Sequence, residues 1–277
     1  MKEKINILYA GNSKVFDGML LSLLSIIEHT NNILNVYCFT MNLQELNPKY
    51  TPLTTKHEKY LDNLLKTKNN QNFFKLFDIT NLFKKHLINS VNINQPATPY
   101  SMLRLFPHLV EEIPNKFIYL DTDTLINKDL KELFDIDISN YELGVVLEDI
   151  IMIDLGRLIQ KHFNAGVLLV NLDKAKQNSM FDKAIDYCLN KKTILMDQDA
   201  LNYCCTEKLY LPEKFNAKRY FDEEFVINHF SNIRKKNDFS IKIKPWNITE
   251  VKELTNIYDN IFDKFLTLKN QKNYPEK

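Results

Sequence analysis

Glycine and arginine are scarce in this chain of 277 residues, which has five glycines and four arginines. No two glycines have the spacing of a dinucleotide-binding fingerprint or a phosphate-binding P-loop, so any nucleotide phosphates must be held in another way. Arginine supplies the planar group used in bidentate contacts with bases. Because arginine is rare and the net charge is only +1, the composition disfavours a nucleic-acid-binding protein.

Paired cysteines and long apolar runs are also missing. The four cysteines form no C-x-x-C pair, which disfavours a zinc site or a thioredoxin-type centre. No stretch reaches the roughly 18 apolar residues that a membrane span needs. The polar turn Gly11–Lys14 interrupts the N-terminal apolar run too early for a signal peptide. We therefore predict a cytoplasmic protein without a transmembrane segment, with peripheral attachment to a membrane as the other option.

Short apolar runs alternate with amphipathic segments along the chain. Strands are predicted at Ile5–Ala10, Val36–Phe39, Phe73–Ile79, Lys116–Leu120, Leu143–Leu147 and Val167–Asn171. Helices are predicted at Asp17–Glu28, Thr54–Lys66, Pro99–Glu112, Asp173–Leu189 with Asp173 as N-cap, and Val251–Leu268. The alternation predicts an α/β fold with a mostly parallel central sheet and helices on both faces.

Two carboxylates follow the apolar run Lys116–Leu120. Asp121 and Asp123 are two positions apart, so a strand that continued through them would present both to one face. Ligands of open α/β sheets bind at the carboxyl ends of the strands. A cation such as Mn²⁺ or Mg²⁺ would relieve the repulsion of the pair and could bind a diphosphate. The other interpretation is a solvated turn, because Asp-x-Asp is a common pattern.

Three further segments carry polar groups of interest. They are Phe163–Asn171, Asp197–Asn202, and Val226–Phe230 followed by Lys244-Pro245-Trp246. Each has a structural explanation when taken alone. Asp197 could cap a helix, His229 could be a buried histidine with satisfied hydrogen bonds, and Trp246 could belong to the core.

Taken in order, the segments resemble those of family-8 glycosyltransferases, retaining enzymes related to bacterial lipopolysaccharide galactosyltransferases and glycogenin. The matching blocks are Tyr100–Leu105, Tyr119–Asp123, Phe163–Val167, Asp197–Asn202, and His229 with Lys244-Pro245-Trp246. The resemblance runs from Ile5 to about Trp246. It implies a nucleotide-diphospho-sugar transferase fold of GT-A type in a single domain. Residues 1–247 would form the catalytic domain, and residues 248–277 a C-terminal helix and tail packed on it.

The resemblance also implies roles for individual residues. Asp121, Asp123 and His229 would bind Mn²⁺, with Mg²⁺ as the alternative ion. The substrate-binding set would be Asn12, Arg104, Asp121, Thr122, Asp123, Asn164, Ala165, Asp197, Gln198 and Lys244. Within this set, Lys244 would contact the diphosphate, and Arg104 would lie near the donor sugar. Asp197 and Gln198 are the implied catalytic residues.

Two features depart from the family pattern. Asn12 stands in the turn after the first strand, where the family often has Asp, so the identity of the base stays open. Fourteen residues separate His229 from Lys244 without a glycine between them, whereas many relatives have a shorter connection. The loops Asn89–Thr98 and Asn232–Ile241 are candidates to shape the acceptor site.

The predicted activity is transfer of galactose or glucose from a UDP-sugar, with retention, to a glycan, lipid-linked or protein-linked saccharide. No carboxylate is assigned to attack the anomeric carbon, so double displacement and front-face attack by the acceptor hydroxyl both stay open. One alternative is a catalytically degenerate sugar-nucleotide-binding partner of a transferase. Another is a haloacid-dehalogenase-type phosphatase, whose motif expects Thr or Val where Leu125 stands.

Overall fold

The computed structural model of this protein describes residues 3–95, 98–148, 152–154, 157–159, 162–235 and 238–275. Its strands are β1 (Lys4–Ala10), β2 (Ile33–Thr40), β3 (Phe73–Asp78), β4 (Lys116–Leu120), β5 (Thr124–Ile126), β6 (Leu143–Glu148), β7 (Met152–Asp154), β8 (Arg157–Ile159), β9 (His162–Asn171), β10 (Lys208–Tyr210), β11 (Ile227–His229), β12 (Arg234–Lys235) and β13 (Asp238–Lys242). Its α-helices are α1 (Phe16–His29), α2 (Thr55–Lys68), α3 (Thr80–Leu87), α4 (Lys131–Phe134), α5 (Leu172–Gln177), α6 (Met180–Asn190), α7 (Asp197–Cys204), α8 (Ile248–Lys252) and α9 (Asp259–Lys269).

A seven-stranded sheet with the order β10-β6-β9-β4-β1-β2-β3 forms the centre of the molecule. The strands pair in parallel except for β9, which runs antiparallel to both β4 and β6. The predicted mostly parallel sheet is therefore confirmed. Because β9 is reversed, its first residues lie at the edge of the sheet where β4 ends.

Helices cover both faces of the sheet, as predicted. Alternate side chains of β1 enter different core clusters, with Ile7 in one and Leu8 in the other. The first cluster also contains residues of α1, α2 and α9, and the second contains residues of α3, α6 and α7. A strand buried on both faces reads as a nearly continuous apolar run, which explains the sequence of β1.

The predicted helix Pro99–Glu112 is wrong. The segment forms two 3-10 helices, Pro99–Leu105 and Pro107–Leu109. Pro107 lacks the N–H that an α-helix would use, and its ring disfavours helical geometry in the residue before it. Met102 and Leu105 are buried in the 3-10 helix. The apolar spacing of the segment is therefore explained by burial and does not require an α-helix.

Two longer predicted helices are each divided in two. Between α5 and α6, Ser179 adopts a left-handed conformation with φ 52°, so the segment Asp173–Leu189 is not continuous. The cap of α5 is Asn171, whose side chain accepts a hydrogen bond from Lys174 N at 3.2 Å; Asp173 already lies inside the helix. The segment Val251–Leu268 is likewise interrupted between α8 and α9.

Several short strands were not predicted from the sequence. β5 pairs antiparallel with β11, with His229 opposite Thr124. The antiparallel pair β12 and β13 covers much of the predicted loop Asn232–Ile241. Two residues of this loop, 236–237, lie outside the described part of the chain, as do residues 96–97 of the other predicted loop.

Among the residues that the structure describes, none of the helices combines the length and the apolar character that a transmembrane span needs.

The segment after residue 247 packs on the same core as β1. Phe262 and Phe265 of α9 are buried in the cluster that contains Ile7. Beyond α9, Tyr274 Oη donates a hydrogen bond to Asp17 Oδ1 at 2.7 Å. That residues 248–277 belong to the catalytic domain stays a prediction, which a substitution can test.

We expect Phe262→Ala to lower the free energy of unfolding by about 3–5 kcal/mol, because it empties a fully buried site. Urea denaturation followed by circular dichroism should show one transition shifted to lower urea. The control is Leu266→Ala in the same helix, whose side chain is 42% exposed and should change stability by less than about 0.5 kcal/mol. A separate early transition in the Phe262 variant would show that the C-terminal segment folds as its own unit.

Candidate active site

Asp121, Asp123 and His229 converge at the carboxyl edge of the sheet. Each offers one ligand atom, and these atoms lie within 4.8 Å of one another. His229 Nε2 is 3.2 Å from Asp123 Oδ1 and 3.7 Å from Asp121 Oδ2. The predicted set therefore meets in space.

The reason for this convergence differs from the one predicted. β4 ends at Leu120, and Asp121–Asp123 lies in a turn before β5, so the two carboxylates do not share a face of one continuing strand. Pairing of β5 with β11 places His229 beside this turn instead. The backbone N–H of Phe230 donates to the carbonyl of Asp123 at 2.9 Å and holds the two segments together.

Arg104 links the carboxylate turn to the start of α7. Its Nη2 is 2.9 Å from Asp121 Oδ1, and its Nε is 2.9 Å from Asp197 Oδ2. The guanidinium also lies 4.6 Å from the ring centre of Tyr119. Burial alone would lower the pKa of Arg104, but the neighbouring Asp121 and Asp197 carboxylates raise it above its ordinary value.

Asp197 is buried beneath this arginine. Ser101 Oγ donates to Asp197 Oδ1 at 2.6 Å. Burial raises the pKa of Asp197, although the charge of Arg104 and the Ser101 hydrogen bond act in the opposite direction. Its two oxygens are thus held by groups of the protein.

Lys244 contacts the other carboxylate of the turn. Its ammonium donates to Asp123 Oδ2 and, at 3.1 Å, to the carbonyl of Phe230. Burial alone would raise the pKa of Asp123, but His229 and Lys244 reverse this and hold the pKa well below its usual range. The structure therefore places Lys244 beside the Asp-x-Asp turn despite the long connection to His229.

Asn164, Ala165 and Gln198 form a hydrogen-bonded group next to the turn. Gln198 Oε1 accepts from Ala165 N at 3.1 Å and from Asn164 Nδ2 at 3.2 Å. Asn164 Nδ2 is also 3.0 Å from Glu148 Oε1. On the far side, Gln198 Nε2 is 3.4 Å from His162 Nδ1. Both ends of the Gln198 amide are therefore engaged by the protein.

A bulge in β9 brings these groups to the carboxylates. The register with β6 passes from Val145–Leu168 to Val146–Asn164, so residues 165–167 lie between paired positions. The carbonyl of Gly166 in this bulge accepts from Asp121 N at 2.7 Å. Phe163–Val167 is thus part of β9, which begins five residues before the predicted strand Val167–Asn171. Bulges commonly redirect side chains next to active sites.

Gly166 is needed for close approach of β9 to the cluster. A Cβ at this position would lie 2.7 Å from Asp121 Oδ2 and would overlap the His229 ring. No side chain other than hydrogen fits without displacing a member of the cluster.

Asn12 and Thr122 follow β1 and β4, whose ends lie at the same edge of the sheet. Asn12 follows β1 and is buried against the Tyr100 hydroxyl. Thr122 is buried between the two carboxylates in sequence, with its methyl group beside Gly11. The structure thus brings the predicted substrate-binding residues to one edge, while the roles of the individual residues stay predictions.

Asn216 is a member of this site that sequence reasoning missed. Its Oδ1 lies 3.0 Å from His229 Nδ1, and its side chain is fully buried. Tyr119 belongs to the matching block Tyr119–Asp123 without an assigned role, and its hydroxyl donates to Asp121 Oδ1 at 2.9 Å. No local sequence pattern indicates Asn216. Its role depends on its contact with His229 of β11, and the chain between these two residues is irregular.

The cluster fits a divalent cation of intermediate hardness. Two carboxylates and one imidazole form a mixed oxygen and nitrogen set, which suits Mn²⁺. His229 Nδ1 is directed at Asn216 Oδ1, which leaves Nε2 facing the carboxylates as the ligand atom. A buried donor oriented in this way by a neighbouring hydrogen bond is typical of metal-binding histidines.

Residues 6–250 match the sequence model of glycosyl transferase family 8. The chain belongs to this family.

Three relatives of this family-8 chain are 24% to 28% identical to it over the parts that align. A Haemophilus influenzae protein named as a candidate glycosyltransferase is 28% identical over 87% of this chain and 69% of its own length. General stress protein A of Bacillus subtilis is 27% identical over 51% of each chain. The lipopolysaccharide 1,3-galactosyltransferase of Salmonella typhimurium is 24% identical over 41% of this chain and 39% of its own. The chain thus spans only about half or less of the length of the last two relatives.

Solved structures place the family-8 chain in the GT-A type fold. The galactosyltransferase LgtC, in complex with donor and acceptor sugar analogues, superposes with a TM-score of 0.63 at 18% identity and 98% coverage of both chains. The glycosyltransferase GlyE of Streptococcus pneumoniae gives 0.64 at 16% identity, covering 96% of this chain and 64% of that one. At such identities the likeness shows the fold, and it confirms the predicted one.

We expect Gly166→Ala to separate His229 from Asp121 and to weaken Mn²⁺ binding by about 10-fold or more, since the family-8 cluster loses its geometry. Calorimetric titration with MnCl₂ measures the affinity, and thermal unfolding checks the fold. The control is Gly144→Ala on β6, where the added Cβ meets side-chain atoms of Leu169 and Leu211 at 3.2 Å. Equal Mn²⁺ affinity in both variants would contradict the close-approach argument.

Proposed function

We propose that this chain is a Mn²⁺-dependent retaining transferase that moves galactose or glucose from a UDP-sugar to a saccharide acceptor. The observation that carries the proposal is the convergence of Asp121, Asp123 and His229 in a chain of glycosyl transferase family 8. Mg²⁺ is the alternative ion. A cation held by these residues would neutralise negative charge on the departing nucleoside diphosphate.

Among the described residues, Lys244 is a cation that lies close enough to the cluster to contact the diphosphate. Its ammonium lies within hydrogen-bond reach of Asp123, so an anion bound at the cluster would also meet this cation. A lysine can exchange one acceptor for another because its three N–H groups rotate on a flexible stem. We assign Lys244 to phosphate binding on this basis.

Arg104 has a supporting and a binding part in this proposal. Its Nε donates to the carbonyl of Ser101 at 3.0 Å and forms an ion pair with Asp197. One hydrogen on each terminal nitrogen is engaged, by Asp121 and by the carbonyl of Ala165. A guanidinium has five N–H groups, so two remain for the donor sugar. The fixed contacts hold the two carboxylates beside the guanidinium, and we assign the remaining N–H groups to the donor sugar.

The donor sugar would lie against Asn164, Ala165, Asp197 and Gln198. Gln198 Oε1 already accepts two hydrogen bonds, and the oxygens of Asp197 are held by Arg104 and Ser101. Neither residue therefore offers a weakly bound oxygen for attack on the anomeric carbon. This arrangement favours front-face attack by the acceptor hydroxyl over double displacement. Asp197 and Gln198 would stabilise the positive charge that develops on the sugar ring as the nucleoside diphosphate leaves.

We infer the contact with the nucleotide base from Asn12 and the donor sugar and acceptor from a relative of the chain. Asn12 at the end of β1 would contact the base and accept or donate hydrogen bonds. The name of the Salmonella relative supports galactose as the donor sugar and a lipid-linked saccharide as the acceptor. Glycan and protein-linked saccharides are the other acceptor classes to test.

A panel of nucleotide sugars, each with and without MnCl₂, tests the proposal. We expect hydrolysis and transfer with UDP-galactose or UDP-glucose only when the metal is present, because charge on the leaving diphosphate needs compensation. Donor binding without turnover against any acceptor would instead indicate a degenerate binding partner. Hydrolysis of simple phosphate esters without nucleotide sugar would indicate a phosphatase.

We expect Asp123→Asn to reduce metal-dependent turnover by about 100-fold or more, because the variant loses an anionic oxygen at the cluster. Turnover at saturating MnCl₂ is measured with the donor chosen by the panel, and circular dichroism checks the fold. The matched control is Asp263→Asn on α9, whose side chain is 70% exposed. Undiminished activity of the Asp123 variant in metal-free buffer would remove the metal from the proposal.

A further inference from the structure

A chain of hydrogen bonds connects the backbone of β9 to His229. Gly166 N donates to Asn164 Oδ1 at 2.9 Å, and Asn216 Nδ2 donates to the same oxygen at 3.1 Å. Asn216 Oδ1 then lies 3.0 Å from His229 Nδ1. These contacts link a residue proposed to face the donor sugar with a residue proposed to bind the metal.

The donor and the acceptor of each of these three hydrogen bonds follow from the first bond, in which Gly166 N is the donor. A backbone N–H can only donate, so the Asn164 atom that faces Gly166 N is its oxygen. That oxygen can only accept, so Asn216 must present its NH₂ group to Asn164. The other end of the Asn216 amide, its oxygen, then faces His229 Nδ1 and can only accept as well.

The proton of His229 is placed by this sequence of bonds. Nδ1 must carry a hydrogen to satisfy Asn216 Oδ1, so in the neutral ring Nε2 keeps its lone pair. The carboxylates act in the opposite direction, because Asp123 Oδ1 at 3.2 Å and Asp121 Oδ2 at 3.7 Å from Nε2 both attract a proton to that nitrogen. A metal can bind only the nitrogen without a proton.

We propose that Asn216 is a positioning residue that fixes the metal-binding tautomer of His229. The inference rests on the proposed function, since it concerns the same metal ligand. Asn216 is fully buried, and His229 and Asn164 are 2% and 7% exposed. Water therefore cannot replace the lost acceptor when the amide is removed.

Two substitutions of Asn216 separate its role from simple packing. Asn216→Leu has a similar volume but no acceptor for His229 Nδ1, so the proton is free to move to Nε2. Asn216→Asp keeps the acceptor for His229, adds a negative charge, and replaces the donor to Asn164 by a second acceptor. The packing control is Asn92→Leu, which removes another fully buried amide, one bonded to the carbonyls of Cys188 and Lys191.

The experiment titrates each intact protein with MnCl₂ alone and measures free Mn²⁺ by electron paramagnetic resonance. We expect Asn216→Leu to weaken Mn²⁺ affinity by about 10- to 100-fold, while Asn216→Asp binds at least as tightly as the wild type. Asn92→Leu should lose stability in urea denaturation and keep its Mn²⁺ affinity. If the leucine variant does not fold, Asn216→Ala is measured in its place.

Unchanged Mn²⁺ affinity in the leucine or alanine variant would overturn the inference and leave the proposed function in place. An equal loss of affinity in Asn216→Asp and Asn216→Leu would also overturn it, because the acceptor would then be irrelevant. A wild-type chain that binds no Mn²⁺ would contradict the metal assignment in the proposed function and this inference with it.

Discussion

Repulsion among Asp121, Asp123 and Asp197 is the constraint on which the rest of the site depends. Buried carboxylates are costly unless each has a partner of opposite charge with good geometry. Arg104 contacts Asp121 and Asp197, while Lys244 contacts Asp123. The two cations come from distant parts of the chain, so the carboxylate turn can reach its geometry only when the whole fold has assembled around it.

The reversed strand β9 explains how that assembly reaches the sheet edge. Parallel strands deliver their last residues to the carboxyl edge, whereas an antiparallel neighbour delivers its first residues there. Gly166, in the first half of β9, therefore lies beside Asp121, which directly follows the last residue of β4. A sheet with uniform strand direction would leave the amide group of Asn164 at the opposite edge.

Local sequence patterns predicted the fold class, and the ordered motifs that resemble family 8 indicated the residues that meet at the candidate site. An apolar run followed by Asp121 and Asp123 can be recognised without knowledge of the rest of the chain. The roles of Asn216 and Ser101 cannot be recognised in this way, because each depends on a partner elsewhere in the chain. The helix predicted through Pro107 was wrong for another reason. The spacing of apolar residues indicates which positions are buried, but it does not by itself show that the segment is an α-helix, and Pro107 interrupts one.

The bulge in β9 has a consequence for how this protein tolerates insertions and deletions. Successive strand residues point to opposite faces, so adding or removing one residue between Asn164 and Leu168 would turn one flank of the bulge to the wrong side of the sheet. A changed side chain at Ala165 affects one contact, whereas a changed length misplaces every group on that flank. We therefore expect evolution to preserve the number of residues in this segment more strictly than their identity.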